Sequence, residues 1–197
     1  MKDAKGVERA FWIMARENKK LVDSVNKEKI AELVECILDT RKIILRDKNI
    51  FVAGAGRSGL VAKTFAMRLM QLDFDVFVAG ETITPAIKKG DVFIVCSGSG
   101  ETETMCQLTR RAKKEGAFIV CVTGRSSSAL SSLSDLVLEV PTSGGPDTQP
   151  RQPGAEEFSV TLFEQELFVL LEVVIFVLMD KTNKSVWDLQ KKHSNLE

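Results

Sequence analysis

This chain has few of the residues that metal, disulfide or membrane chemistry would need. Its 197 residues include one histidine, His193, and four cysteines, Cys36, Cys96, Cys106 and Cys121, widely spaced and without a C-x-x-C pair. Structural zinc and a disulfide framework are therefore not expected. Cys96 and Cys121 fall within apolar runs, where a free thiol behaves as a small buried hydrophobe. Neither sign of charge dominates, because 27 basic side chains meet 27 acidic ones. That balance lacks the basic bias that draws proteins to phosphate backbones, so nucleic acid is not an expected partner and any anion must be held by a local site. Long hydrophobic runs are missing too. The longest nearly apolar stretch, Phe168 to Met179, is broken by Glu172 and is too short for a bilayer. The opening Met1-Lys2-Asp3-Ala4-Lys5 has no apolar signal core. The expectation is a cytoplasmic protein with no membrane partner. The chain also has no internal repeat.

What is present is an alternating pattern. With 44% apolar residues the chain can bury a sizeable core, and its length suits one domain over 1–197. Residues 4–48 place Ile30, Leu33, Val34, Ile37 and Leu38 at three- and four-residue spacing, which predicts a helical pair split near Asn26 and packed on the core. Short runs rich in Val, Ile and Phe follow at Ile50–Ala53, Val76–Ala79, Val92–Cys96, Phe118–Val122 and Leu136–Val140. These read as buried parallel strands. The amphipathic stretches Leu60–Leu72 and Met105–Glu115 separate them, and the Ser-rich Ser126–Ser134 has room for a short helix. Strand and helix in alternation predict a three-layer α/β/α sandwich on a five-stranded parallel sheet with right-handed crossovers. Thr142–Pro153 reads as a long loop. Val160–Met179, apolar almost all round, reads as a helix buried on several sides or shared between subunits. The polar end, 184–197, reads as a C-terminal helix.

Open parallel sheets bind ligands beyond the carboxyl ends of their strands, so chemistry is sought in the loops that follow them. Two stand out. After the third strand, Ser97-Gly98-Ser99-Gly100-Glu101-Thr102 combines hydroxyl donors with turn-permitting glycines and opens into a helix. Backbone N–H groups at a helix start, together with clustered hydroxyls, suit a phosphate dianion. The alternative is an ordinary turn in which Ser99 or Thr102 caps the helix. Glu101 and Glu103 would repel a phosphate, so their carboxylates are expected to point away. After the first strand, Gly54, Gly56 and Gly59 match G-x-G-x-x-G, with Glu81 roughly twenty residues on, as in a dinucleotide-binding fingerprint. Arg57 and Ser58 in that loop add anion donors, and one small phosphorylated ligand reached from both loops fits the pair better than a dinucleotide. Glu81 then reads as a loop carboxylate paired locally.

The stretches Gly54-Ala-Gly-Arg-Ser-Gly59, Gly80-Glu-Thr-Ile-Thr-Pro-Ala-Ile87, Ser97-Gly-Ser-Gly-Glu-Thr102, Leu162-Phe-Glu-Gln165 and His193-Ser-Asn-Leu-Glu197 together resemble the sugar isomerase (SIS) domain family. Within it, the match from about residue 30 onward is closest to the 6-phospho-3-hexuloisomerases. The resemblance implies a single SIS domain that interconverts D-arabino-3-hexulose 6-phosphate and D-fructose 6-phosphate, in formaldehyde fixation or its reverse, without metal or organic cofactor. It also implies that Ser58, Ser97, Gly98, Ser99, Gly100 and Thr102 bind the substrate, with Arg57 as a further anion contact. Glu164 would be the base, and a homotetramer, a dimer of dimers, would place its sites near subunit contacts. The chain departs from the family pattern at Ser143–Val160, which is longer and more polar than the compact approach expected before Phe-Glu-Gln.

Moving a carbonyl between C2 and C3 needs a proton taken from one carbon and returned to the other, work for a single carboxylate. Glu164 precedes Phe168, Leu171 and Ile175 at helical spacing, on an apolar face where desolvation disfavours its charge, while a helix start favours it. The competing role is that of a first-turn glutamate serving the helix dipole, as Glu156 or Glu157 would. Glu172 in the same run is expected to pair with an Arg or Lys of another helix or subunit. His193 is either a solvated residue near the chain end or an acid–base group reaching a neighbouring subunit's site. Arg57 would neutralise phosphate or enediolate charge, or pair with an acid. Another isomerase on the same fold, a non-catalytic sugar-phosphate sensor and a dinucleotide-binding oxidoreductase are the alternative functions.

Overall fold

The structure, a computed structural model, describes residues 3–41, 48–141 and 159–196. Helices α1 (Asp3–Ser24) and α2 (Lys27–Asp39) form the predicted pair. They part at Asn26, which is extended and accepts from the Lys29 N–H at 2.9 Å, a side-chain cap that starts α2. Then follow β1 (Ile50–Gly54), α3 (Gly56–Gln71), β2 (Val76–Val78), β3 (Val92–Ser97), α4 (Glu103–Lys114), β4 (Phe118–Thr123), α5 (Ala129–Leu133) and β5 (Leu136–Glu139). Helices α6 (Ser159–Lys181) and α7 (Val186–Lys191) close the chain. The loop expected over Thr142–Pro153, and with it most of Ser143–Val160, lies outside the described residues.

All strand pairs are parallel, in the order β2-β1-β3-β4-β5. Because strand side chains alternate in direction, each central strand feeds two cores. Ile50, Val52, Val92, Ile94, Cys96, Val120 and Val122 pack with α2, α3 and α6, while Phe51, Ala53, Phe93, Val95, Ile119 and Cys121 pack with α4 and α5. The result is the expected α/β/α sandwich. Burial pushes the Cys121 thiol up to about 12, with Cys106 adding a smaller push, and lifts Cys96 further, as expected for core hydrophobes.

One element near the end of the chain, the C-terminal helix, differs from its sequence expectation. Helix α6 buries Leu162, Phe163, Leu167, Leu170, Leu171, Val174, Ile175 and Leu178, yet leaves one apolar side open, with Phe176 73% exposed. The C-terminal helix expected over 184–197 is shorter: a Ser185–Asp188 capping box starts α7 and Lys192 is already its C-cap. Only Leu189 of α7 is buried, and beyond it the Ser194 hydroxyl accepts from the Leu196 N–H at 3.4 Å, local bonding that competes with another helical turn. Among the described residues no helix is long and apolar enough to cross a membrane.

Candidate active site at the carboxyl ends of β1 and β3

Strands β1 and β3 are neighbours, with Gly54 beside Cys96, but their chains depart to opposite faces of the sheet. The helix after β1, α3, joins one core and the helix after β3, α4, joins the other. This is the topological switch point of a doubly wound sheet, and the crevice it leaves lies between the two loops singled out in the sequence.

In the first loop the glycines answer a packing demand. A β-carbon on Gly54 would stand 2.8 Å from the Gly59 nitrogen, and one on Gly59 would stand 2.5 Å from the Gly54 carbonyl oxygen. Gly56 has φ +55, the left-handed region. Helix α3 thus begins hard against the end of β1, and its N-cap, Ala55, has no side-chain cap bond. Glu81 pairs with Lys63, Nζ to Oε1 2.5 Å, the local partner expected of it.

The second loop is tightly tied. The Gly100 N–H donates to Ser97 Oγ at 3.2 Å, Ser97 Oγ lies 3.0 Å from Thr102 Oγ1, and the Glu101 N–H donates to Ser99 Oγ at 3.2 Å. The Gly124 and Leu130 N–H groups donate to the Gly98 and Gly100 carbonyls at 3.1 and 3.0 Å. Thr102 is the N-cap of α4 by position, yet its side chain makes no cap bond. Asn26, Ser128 and Ser185 do cap α2, α5 and α7, so α3 and α4, at the switch point, are the ones left without a side-chain cap among these five helices. Their first-turn N–H groups carry the partial positive charge of the helix start. The acidic neighbours turn away as expected. Glu101 Oε1 accepts from the Ala129 N–H at 2.9 Å, and Glu103 faces Gln107 at 3.0 Å and Arg110 at 3.8 Å.

Helix α6 brings Glu164 between these loops. The Phe163 ring packs on Gly98, where a β-carbon would lie 3.0 Å from Cδ1, and so sets the height of the next residue. Ser58, in the first turn of α3, donates its hydroxyl to Glu164 Oε1 at 3.2 Å, and Arg57 Nη2 lies 3.9 Å from Oε2. The Glu164 side chain is 17% exposed, and its Oε2 is buried with no hydrogen-bond partner. Glu172 meets Arg68 at 3.9 Å, the pairing expected of it.

His193 is not brought to this cluster within the chain. Its Nδ1 lies 3.3 Å from the Ser194 carbonyl oxygen, and its neighbour Lys192 is bound to Asp73 at 2.9 Å. Asp73 stands beyond the last turn of α3, whose first turn carries Ser58. Thirteen helical steps of 1.5 Å from Ser58 to Gln71, the last residue of α3, put those two ends roughly 20 Å apart. Sequence reasoning missed Phe163 as the spacer and Asp73 as the anchor of the tail, because an apolar residue beside Glu164 and an aspartate after a helix carry no distinctive local signal.

Comparison with known proteins follows the same line. Residues 43–170 match the SIS domain family. Over 154 residues the chain is 42% identical to a Mycobacterium gastri protein named 3-hexulose-6-phosphate isomerase, covering 78% of this chain and 76% of that one. It is 40% identical to a protein of the same name from Methylomonas aminofaciens, over 75% of this chain and 80% of that one. A Methanococcus jannaschii crystal structure, from which a 3-hexulose-6-phosphate isomerase function was inferred, superposes with a TM-score of 0.79 at 27% identity, over 96% of this chain and 99% of that one. With its sheet order, its two strand-end loops and these relatives agreeing, the chain belongs to the SIS domain family.

Proposed function

We propose that this protein is an isomerase that interconverts D-arabino-3-hexulose 6-phosphate and D-fructose 6-phosphate through a 2,3-enediol. The observation that carries the reading is Glu164 itself: a carboxylate with one anchored oxygen and one buried, unbonded oxygen, held between two loops whose helices lack side-chain caps. The names of the relatives supply the substrate class.

The phosphate sits on the second loop. Ser97 Oγ already accepts from the Gly100 N–H, so when Ser97 donates to Thr102 the Thr102 O–H is left free to point outward. Ser99, which is exposed, adds a second hydroxyl, Gly100, with φ +66, lets the backbone turn beneath the anion, and Gly98 leaves room for the Phe163 ring beside it. The open N–H groups of α4 complete the cradle. Glu164 then takes the C3 proton of fructose 6-phosphate, and electron density moves onto O2. O2 takes up a proton to complete the 2,3-enediol; the Glu164 carboxyl then returns its proton to C2 while O3 gives up its own proton to solvent, replacing the one O2 gained and leaving the carbonyl at C3. Arg57 stands where it can face the enediolate charge.

His193 acts, in this reading, in a neighbouring subunit's site, since its own chain holds it at the far end of α3. A homotetramer fits the open apolar side chains: Phe11 and Trp12 on α1 are each 69% exposed and Phe176 on α6 is 73% exposed. Incubation with fructose 6-phosphate in D₂O, followed by NMR, tests the function. Deuterium at C3 and growth of 3-hexulose 6-phosphate signals are expected, whereas binding without exchange would leave a sensor.

A further inference from the structure

We infer that the turn joining β4 to α5 positions the substrate loop, with Ser128 and the Ala129 N–H as its positioning groups. This rests on the reading that the loop after β3 holds the phosphate. Three N–H groups of the turn donate to that loop from behind. Gly124 donates to the Gly98 carbonyl at 3.1 Å, Leu130 to the Gly100 carbonyl at 3.0 Å, and Ala129 to Glu101 Oε1 at 2.9 Å.

These bonds decide which way the loop's own donors face. A trans peptide is planar, so its carbonyl and the N–H that follows point in opposite directions. No peptide among the described residues is cis. With the Gly98 carbonyl drawn to Gly124, the Ser99 N–H faces away from the turn. With the Gly100 carbonyl drawn to Leu130, the Glu101 N–H does the same, and it reaches Ser99 Oγ at 3.2 Å. Ser99 Oγ is the acceptor there, so its own proton stays available to an anion. The turn thus keeps two carbonyl oxygens, which would repel a phosphate, on the hidden side of the loop.

Ser128 fixes the spacing between turn and loop. It is 6% exposed and stands so close to Gly100 that a β-carbon there would lie 2.2 Å from its Oγ. Its hydroxyl is held within the turn. Ser131 Oγ donates to the Arg125 carbonyl at 3.0 Å, so in the 2.8 Å contact between the two serines Ser128 is the donor. As the N-cap of α5 it also accepts from the Ser131 N–H at 3.3 Å. Ser128 therefore acts on the loop by packing, and the loop meets the substrate.

Steady-state kinetics on fructose 6-phosphate with A129P, S128A and the double variant S97A/S99A, each with its thermal unfolding, test the inference. Ala129 opens α5 and follows an extended residue, φ −137 and ψ 168, so proline fits there and removes the N–H that binds Glu101. A129P should keep or raise Tm while KM rises about threefold to tenfold, with kcat within about twofold of the parent. S128A, which also loses the cap, should show the same rise in KM with a lower Tm. Parental KM in either variant, beside a raised KM in S97A/S99A, would overturn the inference and leave the phosphate on the loop. A fall in kcat at parental KM would overturn it as well. If S97A/S99A itself keeps the parental KM, the phosphate lies elsewhere and the reading beneath the inference falls with it. Should S128A fold poorly, A129P decides alone.

Discussion

Phe163 and Gly98 touch across the site: one comes from the start of α6, the other from the loop after β3, and no β-carbon fits between them without coming within 3.0 Å of ring atom Cδ1 and 3.2 Å of Cγ. The ring is buried, so it can yield only by shifting against its core neighbours. Gly98→Ala should therefore displace the residue that sets the height of Glu164. Overpacking of this kind costs about 1–3 kcal/mol. The expected outcome is a loss of about 10-fold or more in kcat with the fold retained, measured by turnover and circular dichroism. A fully active G98A variant would show that the contact does not set the base.

The hydroxyl cradle makes a separate kinetic prediction. Ser97→Ala with Ser99→Ala removes one acceptor of the Gly100 N–H and the link to Thr102, and it removes the exposed hydroxyl of the loop. Each lost hydrogen bond to a charged group is worth about 1.5–3 kcal/mol. KM for fructose 6-phosphate should rise by at least about tenfold, with kcat changed much less. An unchanged KM would place the phosphate elsewhere.

Gly59→Ala and Gly56→Ala should behave differently although both lie in the same fingerprint. The first puts a methyl group 2.5 Å from the Gly54 carbonyl oxygen, a backbone atom within the central sheet. No side chain can give way there, and G59A is expected to yield little folded protein. The second meets open space and bears only the cost of a left-handed alanine, about 1–2 kcal/mol, or roughly 2–8 °C in Tm for a chain of this size. Thermal unfolding separates the two. Because one small sugar phosphate held between the two loops replaces a dinucleotide in the proposed function, NADH fluorescence should not change on adding the protein.

Asp73 clamps the tail through two lysines. Hydrogen bonds from Lys184 and then Lys192, each at 2.9 Å, lower its carboxyl to about 2. The folded value lies below the unfolded one of about 3.9, so the stabilisation is present above pH 4 and fades as pH falls toward 2. Asp73→Asn keeps a residue tolerant of the left-handed φ of 67 and removes the charge. At pH 7 the variant should unfold about 3 °C lower, near 1 kcal/mol for a partly exposed pair. The gap from the parent should narrow as both are acidified below pH 4. A constant gap from pH 7 to pH 2 would exclude the charge as its source.

Much of this was legible one segment at a time. The strands follow from short Val-, Ile- and Phe-rich runs, the break between α1 and α2 from a capping asparagine, and the two ligand loops from their place after buried strands. Lys63 met Glu81 and Arg68 met Glu172 as expected, since long cations near an exposed acid pair readily. The short α7 was overread, because a polar amphipathic pattern says where a helix can run but not where packing stops supporting it.

By itself the sequence determined the order of strands and helices and the two strand-end loops, because each depends on side-chain period or backbone chemistry within a few neighbouring residues, while Glu164 stood out from other first-turn glutamates only through the family resemblance. Only the tertiary structure decided that Ser58 donates to Glu164 across 106 residues, that Gly54 and Gly59 are spent on packing, and that Lys192, the neighbour of His193, is bound to Asp73 beyond the far end of α3. Those facts follow from which crossover passes over which face of the sheet. Long-range contact of that kind has no periodicity for a local reading to detect.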